Sequence, residues 1–190
     1  MKRTVALAAA ACVPLLAACG QDRREPSSAR PVVASQTTAV RVSRAGLDLR
    51  LPANMTITRP KTGTTVLKAT LGDSYLAVFA YPRKEQIPRN AEEMADARRR
   101  LSRTVQDREK AYRLIRSRAT EVGGNRAVEL IGTQAFSRTR NRTRSLHVYD
   151  GRAEYVIEIG APDREFARFD QRLHALVERS LRVTGRVRTS

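Results

Sequence analysis

"RTRSLHVYDGRAEYVIEIG", residues 142–160, decides the fold. Asp150-Gly151 is a strong two-residue turn signal between two runs that alternate apolar and polar residues. With the turn at Asp150-Gly151, Val148 faces Ala153 and Leu146 faces Tyr155. Ile157 and Ile159 continue that face inward. His147 then lies opposite Glu154 on the outer face, as an exposed pair of small energetic value. A hairpin this long makes the sheet antiparallel, and the elements around it must cover its apolar face.

Outward from this hairpin, the same alternation recurs. Leu47, Leu49 and Leu51 share one face of "GLDLRLP", which Pro52 closes. "NMTITRP" reads as a short strand, and "TTVLKATLG" and "SYLAVFAYP" as two strands joined around Gly72-Asp73. "YRLIRSRATEV" and "RAVELIGTQAF" form a hairpin across Gly123-Gly124-Asn125. In between, the period changes. Asn90 with Glu93 forms a capping pair, and Met94, Ala97, Leu101 and Val105 follow at helical spacing, fading near Glu109. A second helix starts at Pro162-Asp163, carries Phe166, Phe169, Leu173, Leu176 and Val177, and ends near Ser180. "SLRV" adds a last short strand. The expectation is an α+β fold, a mostly antiparallel sheet of about six to eight strands covered by two main helices.

The start of the chain has another character. Met1, Lys2 and Arg3 precede an apolar run from Thr4 to Ala18, too short to span a bilayer, which takes ~20 apolar residues. Leu16-Ala17-Ala18-Cys19 resembles the bacterial lipobox, in which the signal is cut before an acylated cysteine. Cys12 leaves with such a signal, so Cys19 becomes the only thiol and no internal disulfide can form. The expected organisation is a signal peptide over 1–18, a lipidated flexible linker over 19–42, one domain over 43–184 and a basic, frayed tail over 185–190. The expected location is a bacterial cell membrane, facing out of the cytoplasm, with diacylglycerol on Cys19 as the membrane contact.

The order of elements, the early Leu-Pro, the "Y-x-I" of Tyr155 to Ile157 and the closing "F-x-x-x-L-x-x-L-V-x-x-S-L-R-V" together resemble the PsbP-like family. That resemblance covers most of residues 43–184. It implies a PsbP-like sandwich and an accessory module that docks on larger assemblies.

The net charge of +17 comes almost entirely from arginine. Two explanations compete: arginine-rich codon usage, or a polyanionic partner. Two clusters suit the second. Arg98, Arg99, Arg100, Arg103 and Arg108 lie on the first helix. Arg138, Arg140, Arg142 and Arg144 alternate in "SRTRNRTRS", so an extended strand projects all four from one face. Aromatic residues do not interleave with them, so an anionic envelope surface or an envelope protein is expected as partner, not nucleic acid.

Catalytic signals are sparse. His147 and His174 are 27 residues apart and neither adjoins a recognisable nucleophile. Carboxylates and histidines do not cluster at metal-ligand spacing, and no phosphate-cradling glycine loop occurs, so no metal and no cofactor is expected. The reading is a non-catalytic binding or accessory module of the envelope. A carrier of an apolar or lipidic ligand, in a helix–sheet pocket lined by Leu71, Phe79, Tyr155 and Phe166, is the alternative. A hydrolase is the third. Tyr149, beside the turn, is read as an exposed binding residue.

Overall fold

The computed structural model describes residues 32–84, 86–108, 110–136, 139–151, 153–184 and 187. The expected signal peptide and Cys19 lie outside the described residues, as does Arg138. In chain order the elements are β1 (Thr37–Val42), β2 (Leu47–Pro52), β3 (Thr56–Thr58), β4 (Thr65–Leu71), β5 (Ser74–Pro82), α1 (Ala91–Arg108), β6 (Tyr112–Val122), β7 (Asn125–Phe136), β8 (Thr139–Asp150), β9 (Ala153–Pro162), α2 (Asp163–Ser180) and β10 (Arg182–Val183).

The strands form two antiparallel sheets. The larger runs β3-β4-β5-β9-β8-β7-β6, and the smaller runs β1-β2-β10. The α+β fold with two helices on a large antiparallel sheet is as the sequence implies. The second sheet is not. Its outer strand β1 falls in the expected linker, which therefore ends before Thr37. The reason is local: Val40 and Val42 pair with Leu49 and Leu47, and all four are buried. Of the expected tail, Val187 is described, and it packs half-buried against the core.

The central hairpin also differs in register. Asp150 pairs with Ala153, Val148 with Tyr155 and Leu146 with Ile157, two residues from the expected pairing. The loop begins at Gly151, whose φ of 56° suits a primed turn that only glycine adopts at no steric cost. A shift of two keeps every side chain on its expected face.

α2 and the small sheet seal one face of the large sheet. Phe166, Phe169, Leu173 and Val177 of α2 pack with Leu47, Leu49 and Leu51 of β2 against Leu146, Val148, Tyr155, Ile157 and Ile159. Tyr155 crosses this core and donates to the carbonyl of Ala45 at 2.9 Å, and burial pushes its hydroxyl pKa up to about 12. α1 covers the opposite face, but less completely. Its N-terminus is capped as expected: Glu93 N–H donates to Asn90 Oδ1 at 2.9 Å, and Asn90 Nδ2 donates back to Glu93 Oε1 at 3.2 Å. Only Met94 and Ala97 are buried, over Val128, Leu130 and Tyr149, while Leu101 and Val105 are half-buried. Each large side chain buried fully contributes roughly 1.5–3 kcal/mol, so α2 is held several kcal/mol more firmly than α1.

The tip of the β6–β7 hairpin fixes the end of α2. At Gly123, φ is +59° and an added Cβ would stand 2.6 Å from the carbonyl oxygen of Leu181. Gly151 has a similar φ but open space around it. Gly123→Ala is therefore expected to lower unfolding stability by about 2–4 kcal/mol, and Gly151→Ala by about 1–2 kcal/mol. Urea unfolding of both variants checks the difference; equal losses would contradict the contact.

Candidate functional site: a polar cleft beneath the first helix

The large sheet presents four rows of side chains toward α1. Each row follows from the register. Tyr75, Gly160, Thr143 and Gly132 form the first, and Ala77, Glu158, Ser145 and Leu130 the second. Phe79, Val156, His147 and Val128 form the third, and Tyr81, Glu154 and Tyr149 the fourth. α1 seats on the β6–β7 side through Met94 and Ala97. The rows over β5, β9 and β8 are left under a half-open cleft of about 930 Å³, roofed by Leu101, Thr104 and Val105. A smaller hollow of about 520 Å³ adjoins it, between α1 and residues Arg83, Gln86, Ile87 and Pro88. Ligand sites typically span about 300–1,000 Å³, with a few placed polar groups among apolar walls.

Two glycines shape the floor. A Cβ on Gly160 would stand 2.4 Å from the Tyr75 ring, and one on Gly132 would stand 2.2 Å from the Tyr112 ring. Both rings therefore lie down on bare backbone, on either side of Thr143. Tyr75 Oη donates to Glu158 Oε1 at 2.6 Å, and Ser145 Oγ donates to Glu158 Oε2 at 3.4 Å. Thr143 hydrogen-bonds the Tyr112 hydroxyl. Burial, followed by the charge of Glu158, raises the hydroxyl pKa of Tyr75, so it stays a donor at neutral pH.

At the other end stands an ion-paired group. His147 Nδ1 lies 2.6 Å from Glu154 Oε1, and Arg83 pairs with the second oxygen of Glu154. Burial would push the Glu154 carboxyl up. The hydrogen bond and charge of His147, with Arg83, outweigh it and hold that carboxyl below its ordinary 4.5. The expected exposed His147–Glu154 pair is thus corrected. The two share a face, but they are 9% and 3% exposed, because that face is a cleft under a helix. Tyr149, expected at the surface, is 7% exposed beneath α1. No hydrogen bond joins His147 to a serine, threonine or cysteine among the described residues. The pair has the orienting half of a catalytic triad without its nucleophile. Nor, among the described residues, do three or more His, Cys, Asp or Glu side chains group to hold a metal.

The sealed face carries a second polar feature, and it corrects the basic-strand expectation. Arg144 is buried. It binds Asp170 through two bonds, Nε–Oδ1 at 2.7 Å and Nη2–Oδ2 at 2.6 Å, and its Nη1 pairs with Glu129. Glu129, 0% exposed, also accepts from Arg118 Nε at 2.8 Å and Arg116 Nη2 at 3.1 Å. This network joins β6, β7, β8 and α2. Arg142 and Arg140 stand 2.8 Å and 3.8 Å from Asp163 in the first turn of α2, and Arg142 lies 5.8 Å from the Phe166 ring. The alternation does place these side chains on one face, as expected; on it Arg144 and Arg142 are engaged by α2, while Arg140 stays largely exposed. On α1, Arg98 is half-buried and donates to Ser117 Oγ at 3.3 Å. Arg99 pairs with Asp96, and both Arg99 and Arg103 are exposed. Of the expected carrier lining, Phe79 alone lies in the cleft. Tyr155 and Phe166 belong to the sealed core, and Leu71 packs against it.

No protein-family model and no curated protein sequence matches the chain. Solved structures do. Cyanobacterial PsbP (CyanoP) from Synechocystis sp. PCC 6803 matches at a TM-score of 0.56 and 12% identity, over 80% of this chain and 94% of that one. LpqN of Mycobacterium tuberculosis, described as involved in cell envelope biogenesis, matches at 0.55 and 14%, over 79% and 91%. The fold is therefore PsbP-like, as the sequence pattern implies. Among the described residues no helix is long and apolar enough to cross a membrane.

The buried ionic groups set an acid limit on stability. At Glu129 burial again acts upward, but the hydrogen bond of Arg118 and the charges of Arg144, Arg118 and Arg116 hold the carboxyl below 4.5. Burial, then the charge of Arg144, holds His174 below 6.5. All three shifts make the unfolded chain bind more protons, so stability rises with pH. The His174 contribution is complete above 6.5 and declines below it. Those of Glu129 and Glu154 are complete above 4.5 and are lost as pH falls through their lower folded values. Urea midpoints at about pH 7.5, 5.5 and 4 should fall in that order at constant m-value. A flat or rising series would contradict the assignment.

Proposed function

We propose that this chain is a non-catalytic binding module of the bacterial cell envelope, moored by acylated Cys19, that holds a small amphiphilic ligand in the cleft between α1 and the large sheet. One observation carries the reading: the half-open, 930 Å³ cleft has a floor of polar groups fixed on a rigid sheet and a roof of half-buried Leu101 and Val105. A helix held mainly by Met94 and Ala97 can shift to admit a ligand at small cost, while the floor stays in place. The lipobox-like Leu16 to Cys19 supports the mooring. The likeness to LpqN supports the envelope setting at the level of fold. The exposed Arg99 and Arg103 offer a contact for an anionic envelope surface or protein.

The test starts from protein labelled in its own cells with a palmitate analogue and purified from the membrane. The label is expected on Cys19, and mass spectrometry is expected to find a small amphiphile in near-stoichiometric amount. Val156→Trp, which fills the cleft, should retain the label and lose the amphiphile. Unlabelled protein contradicts the mooring, and an amphiphile absent from the wild type, or retained by the variant, contradicts the cleft.

A further inference from the structure

The cleft reading leaves the chemistry of the ligand open, and the carboxylates of the sheet narrow it. Acidic side chains are scarce in this chain, 19 against 36 Lys and Arg. Those turned inward are matched by basic side chains. Glu129 has three arginines, Asp170 has Arg144, and Glu154 has His147 and Arg83. Glu158 differs. It is half-buried in the cleft floor and accepts only from the hydroxyls of Tyr75 and Ser145; no basic side chain pairs with it among the described residues. An ionised carboxylate offers about four lone-pair sites, and two hydroxyl donors leave about half of them open. Burying a carboxylate without a cation is costly, so its retention in so basic a chain needs a reason.

The surroundings supply one. The Tyr75 ring lies beside Glu158 over Gly160, and Tyr112 lies across Thr143 over Gly132, near enough for the Glu158 charge to act on both hydroxyls. A carboxylate flanked by aromatic rings is the setting that recognises an ammonium group. The cleft also offers an apolar wall of Phe79, Leu101, Val105, Leu130 and Val156, with Arg83, Lys84 and Arg108 among its other lining residues. We infer that Glu158 receives the ammonium group of a cationic or zwitterionic amphiphile whose apolar part lies under α1. Arg83, Lys84 and Arg108 also line the cleft, so the pull of Glu158 and the two rings on an ammonium group has to exceed their repulsion. Arg83 stands at Glu154, four residues from Glu158 along β9, or about 13 Å at strand rise.

This inference rests on the cleft reading, and the test separates the two. Residues 19–190, made without the signal and so unacylated, contain every buried apolar residue of the described chain, from Val33 to Leu181. Calorimetry would compare octylamine, octanoate and octyl glucoside below their micelle concentrations. Generic attraction to residues 19–190, whose side chains still carry a large net positive charge once Lys2 and Arg3 are gone, favours octanoate. Recognition at Glu158 instead makes octylamine bind at least about tenfold tighter than either of the others. Glu158→Gln should bring octylamine down to the octyl glucoside level and leave octyl glucoside unchanged. The head-group order on the wild type decides the matter even if that variant fails to fold. Equal or tighter binding of octanoate or octyl glucoside, still abolished by Val156→Trp, overturns the ammonium assignment alone. Failure of all three probes to bind overturns the cleft reading with it.

Discussion

An antiparallel sheet of seven strands has two faces, and of α1 and α2 only α2 is apolar enough to seal one. The rest of the structure follows from that inequality. α2 buries two phenylalanines, a leucine and a valine, and with β2 it closes the main apolar core. α1 buries one methionine and one alanine. Its arginine-rich remainder cannot be drawn onto the sheet, since a long charged side chain keeps its head in water. The strands under it answer with Ser145, His147, Glu154 and Glu158 where a second core would carry aliphatic residues. A polar floor under a lightly held helix is a recess that persists without collapsing.

The sealed side holds its ions differently. A buried ion pair adds little net stability over a well-packed apolar cluster, because desolvation offsets the attraction. Removing one partner is another matter, since it strands the opposite charge. Arg144 occupies that position, between Glu129 on β7 and Asp170 on α2, with bidentate geometry toward Asp170. It sets where α2 sits along the sheet. The strand that carries it, β8, also carries Thr143, Ser145 and His147 on its opposite face. One strand therefore registers the core on one side and furnishes the cleft on the other.

Much of this was legible in the sequence. Alternation located β2, β4, β5 and β9, glycines marked the hairpins, and Asn90 with Glu93 marked the start of α1. β1 was hidden because its two buried valines sit in a polar stretch, and their partners on β2 become apparent only once the strands pair. The cleft was hidden for a deeper reason. Alternating polar residues on a strand read the same whether they face water or a recess roofed by a helix, so His147 and Glu154 looked exposed. Arg144 was hidden likewise: its parity was correct, and what parity cannot say is which carboxylate waits across the gap. One signal was available. Glu129 interrupts an apolar run, "AVELIG", and a carboxylate so placed requires a basic partner.

The account turns on the face under α1 being the one that meets a ligand. Amide chemical-shift mapping during an octylamine titration tests this most directly. Perturbations are expected at Tyr75 to Tyr81, Thr143 to His147, Glu154 to Gly160 and the last two turns of α1, with the α2 side silent. Shifts centred on α2, or scattered over the exposed arginines with the cleft strands unmoved, would contradict it.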